Sequence, residues 1–349
     1  MELTDVIIST RLSLKRNLAN YNFAISLSEK KAVEIYLYVK NAIEKIHFAL
    51  GGDFIFEVHQ LAKLDFLELK KLQAEGIIAP NLPMHEGRGI ARCKKCYILI
   101  NVDDHITIGT VTGIYSLEEN LNILYAVESA LGQQVPYAFD ERFGFLTSSI
   151  NYFGSGFAVT FLSSFYFLVH GEKYIKKLAE NFGNLFTLVT VDMGLENEKS
   201  KFLFHVITLH AHCETPEKQL REIFSLLDRI VKIETNDRKR FLEQKYDEAY
   251  DFVLRAFLIA KHSIIVPEYE LYDLLAALRF GVYAKIITDI RLEIIDELVV
   301  QLRTPFLVEQ ILEEAKISMQ DITIKMVDKK RAEILNAALL PAKIGGYTK

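Results

Sequence analysis

Between Ser28 and Leu50 the apolar residues Ala32, Ile35, Val39, Ala42, Ile43, Ile46 and Leu50 recur at helical spacing and run into Gly51-Gly52. That pattern predicts an amphipathic helix with a glycine stop. The period then shortens: Tyr97–Ile100 and Ile106–Val111 are β-prone runs flanking the polar insert Asn101-Val102-Asp103-Asp104-His105. Ser116-Leu117-Glu118-Glu119 has the residue order of a capping box and predicts a helix to about Leu131. Further strands are expected over Phe157–Val169, Leu185–Val191 and Phe202–Leu209, with a helix over Glu172–Asn181 between the first two. From Thr215-Pro216-Glu217, an N-cap followed by proline, nearly everything reads as helix to about Leu340, with breaks near Val266-Pro267, Gly281 and Thr304-Pro305. The fold class is therefore α+β, with sheet and helices over residues 1–235 and an all-helical domain over 236–349.

The 349 residues, a quarter charged and half apolar, suit two globular domains. Forty-one basic against 46 acidic side chains give a net charge of −5, no excess of positive charge for nucleic acid or an anionic membrane. Three cysteines are too few for a framework of bridges, and Met1-Glu2-Leu3-Thr4-Asp5 lacks a signal-peptide layout, so a cytoplasmic location is expected. Phe145–Val169 is uncharged and long enough to span a membrane. Its interruptions at Ser148, Ser149, Asn151, Gly154, Ser155 and Gly156 read instead as a loop leading into a buried strand. Cys93-Lys94-Lys95-Cys96 with His212-Cys213 has the residue types of a Cys₃His zinc site. The second half of such a motif is missing and the partners lie more than a hundred residues apart, so no metal site is expected and the CxxC reads as thiols on a hairpin.

Three ordered segments resemble the phosphagen (guanidino) kinase family and its bacterial protein-arginine kinase branch. Val6-Ile7-Ile8-Ser9-Thr10-Arg11-Leu12-Ser13-Leu14-Lys15-Arg16-Asn17-Leu18 is similar to the family's opening Ser-Ser/Thr-Arg-Val/Ile-Arg-Leu-Ala-Arg-Asn-Leu. Asn101 to Ile108 stands where the family has Asn-Glu-Glu-Asp-His-Leu-Arg-Ile, and Tyr137 to Thr147 resembles the run into its Cys-Pro-Thr-Asn loop. The resemblance implies an antiparallel catalytic sheet flanked by helices, then a helical dimerisation domain. An opening motif at residue 6 also favours the protein-directed branch, because the small-molecule kinases carry a helical domain ahead of it.

Guanidino phosphorylation relies on positioning and on cations around the γ-phosphoryl group. The family supplies arginines for this, and the resemblance gives Arg11 the first of these positions. Ser13, Thr107, Ala158 and Thr190 stand where others belong, and Leu195 takes the place of a glutamate. Independently of register, Arg142 is the only arginine between Asn101 and Lys201. Asp103 aligns with the carboxylate that orients the guanidinium, and Ser149 with the reactive cysteine; these are the two catalytic candidates. Arg11, His105, Gly154 and Gly156 are the candidate nucleotide contacts, although Asp104 and His105 also read as polar residues of a turn. Asp328 in Asp328-Lys329-Lys330-Arg331 resembles the phosphoarginine-sensing segment, with Val327 replacing the preceding arginine; a solvated charged helix face is the other reading.

The expectation is a degenerate kinase without turnover that binds a protein partner, a Clp-system component or a zinc-binding activator, through a neutral cleft edged by Phe157. The other reading is an active protein-arginine kinase using ATP and Mg²⁺ at a rebuilt site. The leucine- and isoleucine-rich helical domain is expected to form a homodimer.

Overall fold

The structure, a computed structural model, describes residues 3–112, 116–164, 186–190, 204–209 and 215–347. Ser28 caps the predicted first helix, α1 (Glu29–Leu50), accepting a hydrogen bond from the Lys31 amide. The strands β1 (Ile7–Arg16), β2 (Glu57–Gln60), β3 (Gly89–Arg92), β4 (Tyr97–Ile100), β5 (Ile106–Thr112), β8 (Phe157–Ser164), β9 (Phe186–Thr190) and β10 (Phe204–Leu209) form one eight-stranded sheet. Its order is β2-β3-β4-β5-β1-β8-β10-β9, and each neighbouring pair is antiparallel. β6 (Phe139–Asp140) and β7 (Gly144–Phe145) make a separate small hairpin.

Alternation along β1 separates the two faces of the sheet. Leu12 and Leu14 join Ile98, Ile100, Ile106, Ile108, Phe157, Val159 and Phe161 in a core beneath α1, α3 (Leu117–Gly132) and the start of α4 (Pro216–Gln244). Phe157 is therefore fully buried core, a correction to its expected place on a cleft. On the opposite face, α2 (Phe66–Ala74) and the residues around it build a smaller core from Leu61, Leu72, Ile77, Ile78, Ile90, Tyr97 and Leu99.

The helical region comprises α5 (Tyr246–His262), α6 (Glu268–Tyr283), α7 (Leu292–Gln301), α8 (Thr304–Ala315) and α9 (Ile324–Ala338) around its own core. α4 runs through position 235: Leu220, Ile223 and Leu227 belong to the first core, while Phe241 and Leu242 pack against the second. Two buried arginines tie the region to the sheet. Arg238 donates to Glu234 at 2.8 Å, to the Asp5 carbonyl at 3.1 Å and to the Ser164 carbonyl at 2.7 Å. Arg279 donates to Asp296 at 2.7 Å, to the Thr4 carbonyl at 2.6 Å and to the Asp5 carbonyl.

Two local expectations change and one is refined. Ser116 makes no side-chain cap; its carbonyl accepts from the Asn120 side chain instead. The break expected near Gly281 falls two residues on, where α6 ends at Tyr283; Gly281 itself lies in the last turn, packed so that a Cβ there would stand 2.5 Å from Val253 Cγ1. β11 (Ile287–Thr288) pairs with β12 (Lys343–Ile344) inside a region that reads as helix. The helix expected over 172–181 lies outside the described residues, as do 165–169, 191–203 and 210–214. No helix among the described residues is long and apolar enough to cross a membrane.

Candidate functional site

Strand register decides which side chains share a face, since directly paired residues point the same way. Ser13 pairs with Gly109 on one side and Ala158 on the other, while Lys15 pairs with Thr107. Three of the four positions singled out as lost arginines, Ser13, Thr107 and Ala158, therefore lie contiguously on the sheet face opposite the main core, beside Arg11, while Thr190 stands at the end of β9, paired with His205. Each of the three is buried. Gly109 has no side chain for a reason visible in the packing: the Tyr97 ring lies over it, and a Cβ would stand 2.2 Å from Tyr97 Cζ. Burial pushes the Tyr97 hydroxyl above the ordinary tyrosine range, so the ring is a neutral cover.

The cations on this face are engaged by the chain itself. Arg11 donates to the Glu75 carbonyl at 2.6 Å and to the Gly76 carbonyl, at the C-terminal end of α2. Those carbonyls carry the negative end of the helix dipole, which a guanidinium complements. Arg92 pairs with Glu75 at 3.1 Å. Lys15, which the sequence reading passed over, stands at the family's alanine position and extends a buried ammonium to 3.2 Å from Asp103 and 3.9 Å from Asp104, 5.0 Å from the Tyr152 ring centroid. Burial pulls the Lys15 pKa down, but the two carboxylates outweigh it and hold the group above the ordinary lysine value. The sequence signal was available as a charged residue in an otherwise β-prone alternation.

Asp104 and His105 are structural. Asp104 Oδ1 accepts from Asn17 Nδ2 and from the Ser148 amide, both at 2.6 Å, and the Asn17 side-chain oxygen accepts from the His105 amide at 2.9 Å. His105 is fully buried. Its Nδ1 accepts from the Leu18 amide and its Nε2 lies 2.9 Å from the Asn22 carbonyl, so both ring nitrogens serve to anchor residues 17–22. Asp103 projects with its side chain 72% exposed.

Ser149 caps the single turn Ile150–Tyr152 by accepting from the Asn151 amide at 3.4 Å. Among the described contacts no acid or base meets its hydroxyl, so a nucleophilic role has no local support. Gly154 and Gly156 both have positive φ, +96° and +66°. A Cβ at Gly156 would stand 2.4 Å from Arg16 Nη1 and from the Lys15 carbonyl oxygen, because Arg16 donates to the Lys15 and Ser155 carbonyls in this turn. The glycines thus let residues 154–156 pass against β1. Asp328, in the helical region, accepts from the fully buried Arg331 at 2.6 Å, and Arg331 also holds the Val266 and Leu302 carbonyls. That assembly pins α9 to the segments before α6 and α8.

Beside the turn, a cavity of about 580 Å³ is lined by Phe139, Phe143, Phe145 and Phe153 together with Tyr125 and Glu128. Phe139 and Phe143 are more than half exposed. The described sheet face suits a triphosphate with Mg²⁺ poorly: Ser13, Thr107 and Ala158 bring no charge, and Arg11 and Lys15 already have partners. Residues 191–203, with Gly194, Leu195, Glu196 and Glu198, lie outside the described structure, as do His212 and Cys213. Among the described residues no cluster of three or more potential metal ligands occurs.

Residues 38–237 match the family described as ATP:guanido phosphotransferase, C-terminal catalytic domain, and residues 247–344 match that described as Protein-arginine kinase McsB C-terminal domain. The chain is 27% identical over 329 residues to a protein-arginine kinase of Pelotomaculum thermopropionicum, covering 91% of this chain and 90% of the relative. It is 26% identical over 310 residues to that of Bacillus mycoides, covering 88% and 86%. Among solved structures, the substrate-free duplicated taurocyamine kinase from Schistosoma mansoni superposes with a TM-score of 0.55 at 18% identity, over 67% of this chain and 34% of that longer chain. A lombricine kinase gives 0.53 at 14% identity, over 66% of each.

Proposed function

Because the chain belongs to the ATP:guanido phosphotransferase family, in its protein-arginine kinase branch, we propose that it is a catalytically impaired member that acts by binding a protein partner. One observation carries this reading: across β5, β1 and β8 the contiguous positions Thr107, Ser13 and Ala158 are neutral and buried. Stabilising cations in comparable phosphoryl-transfer systems are worth on the order of 10³–10⁵ in rate each. Arg11, spent on the end of α2, does not replace them.

The partner is a protein of a Clp-protease quality-control system or a zinc-binding activator of the family's type, met in the cytoplasm. The exposed aromatics Phe139 and Phe143 beside the 580 Å³ cavity supply an apolar surface for it. A second reading has its own support. Lys15 places a buried cation beside Asp103, so a rebuilt site could position ATP-Mg²⁺ with a lysine, which lacks the planar two-point contact of arginine.

Incubation with ATP-Mg²⁺ and an arginine-rich acceptor, followed by phosphoarginine mass spectrometry, separates the two. No phosphoarginine from the wild type or from Lys15→Met is expected. Turnover in the wild type that Lys15→Met abolishes would establish the rebuilt kinase. Capture of a Clp component that Phe139→Asp with Phe143→Asp weakens would support the binding role.

A further inference from the structure

Cys93 and Cys96 close the tip of the β3–β4 hairpin. Flanking Arg92 and Tyr97 are a paired position of the ladder, and the Cys93 amide donates to the Cys96 carbonyl at 3.0 Å, so the backbone already brings the two residues face to face. Their sulfurs are 3.4 Å apart. A disulfide requires about 2.05 Å, so the sulfurs need to close by only about 1.4 Å. The two thiols are unequal. Cys93 is half-buried and reachable, while Cys96 is buried against the main core.

We infer that Cys93 and Cys96 form a redox-active dithiol that exchanges with external disulfides, Cys93 attacking and Cys96 resolving. Neither cysteine is among the candidate catalytic or nucleotide-contacting residues, and the inference stands whether or not phosphotransfer survives. The Cys93 thiolate attacks one sulfur of a disulfide RSSR, forming a mixed disulfide and releasing RS⁻. Cys96 then loses its proton to solvent or to RS⁻, its sulfur attacks the Cys93 sulfur, and the second RS⁻ leaves. Two protein thiols are oxidised and one disulfide is reduced to two thiols, so electrons balance.

The surroundings favour this order. The Cys96 thiol, helped by the Lys95 and Cys96 amides and opposed by burial, holds Cys93 down to about 6, while the same hydrogen bond and burial push Cys96 up. The charged groups nearby are Asp53, whose carboxylate opposes ionisation of Cys93, Lys95, paired with Asp53 at 3.1 Å, and exposed Lys94. A thiol of pKa about 6 is intrinsically a weaker nucleophile than one near 8.5. With a Brønsted slope of about 0.45 the net gain is only about twofold at pH 7 but roughly tenfold at pH 6. The pH profile is therefore the discriminating readout.

The test uses the full chain carrying Cys213→Ser, so that only the hairpin pair can react, with glutathione disulfide as the probe. Intact-mass and peptide mapping should show loss of two hydrogens and a Cys93–Cys96 bridge, reversed by dithiothreitol. Cys96→Ser, and independently Cys96→Ala, should instead accumulate one glutathione adduct on Cys93, and Cys93→Ser should react at least about tenfold more slowly at pH 6. Alkylation of Cys93 should titrate with a midpoint near 6. Equal, slow alkylation of both thiols with an ordinary midpoint near 8.5, or glutathione adducts on Cys93 that never resolve in the chain retaining Cys96, would overturn the inference. So would stoichiometric zinc protecting both thiols in the purified protein, which would make them ligands rather than a redox pair.

Discussion

At the scale of single residues, Lys15 shows how a buried charge is kept by its neighbours. Its raised pKa means that the stabilisation it brings is fully present below the unfolded lysine value of about 10.4 and is lost as pH rises through the folded value. Burial opposes the charge, and Asp103, at 3.2 Å and hydrogen-bonded to it, does more to sustain it than Asp104 at 3.9 Å, although Asp103 is itself 72% exposed and screened by solvent. Lys15→Met, which leaves the buried Asp104 carboxylate without its cation, should cost about 3–5 kcal/mol. The resulting melting-temperature difference should stay constant from pH 6 to 9 and shrink above about 10.4; a difference that titrates near neutrality would contradict the assignment. The thiol of Cys93 behaves oppositely. Its depressed value gives stability that is present above the unfolded thiol value of about 8.5 and lost as pH falls through about 6, so the wild type's advantage over Cys93→Ser should grow between pH 6 and 8.5.

At the scale of elements, the loops of the candidate site are held by side chains rather than by ladders. Asp104→Ala would strip partners from Asn17 and the Ser148 amide. It should destabilise the protein by about 2–4 kcal/mol and open residues 146–153 to limited proteolysis, whereas Asp104→Asn should retain part of the network. Gly156→Ala combines φ of +66° with a contact at 2.4 Å against backbone and should cost at least about 2 kcal/mol, measured by urea unfolding. Much of this level was legible in the chain. Continuous β-prone runs placed β4 and β5 to within a residue, and Thr215 capped the helix it preceded. Ser116 failed as a cap because its backbone, at φ −104° and ψ 21°, departs from the extended conformation that a side-chain cap uses. α2 carried too short a pattern to register. Phe157 was misplaced because a strand's two faces cannot be told apart until its neighbours' register is known. The same limit hid Lys15: its charge was visible, but the carboxylates that neutralise it lie 88 and 89 positions away.

At the scale of the whole molecule, Arg238 and Arg279 decide how the helical region sits on the sheet. Arg279→Met would leave the Thr4 and Asp5 carbonyls short of donors and Asp296 without its partner; a loss of about 3–5 kcal/mol and weaker cohesion of the two regions are expected, visible as a split calorimetric transition. A homodimer through residues 236–349 is proposed on the apolar surface that α5 and the start of α6 leave exposed at Leu258, Ile264 and Tyr269. Ile264→Asp with Tyr269→Lys should then give a monomer in sedimentation, and an unchanged mass would exclude that surface. Cutting at 235 is a poor test, because it divides α4 and removes Arg238. The two arginines also set a clock. Asp5 leaves the ribosome well before its partners, for Arg238 follows 233 positions later and Arg279 follows 274 positions later. At about 5–20 residues per second, the opening of β1 waits roughly 15–55 s for its last hydrogen-bond donors. A ribosome-stalled chain ending near residue 250 should therefore be cleaved readily within residues 4–7, and one extended past α6 should not. β1 itself is paired on both sides, by β5 and β8, well before then, so it is the short segment leading into the strand that, during that interval, depends on whatever else in the cell is ready to hold it.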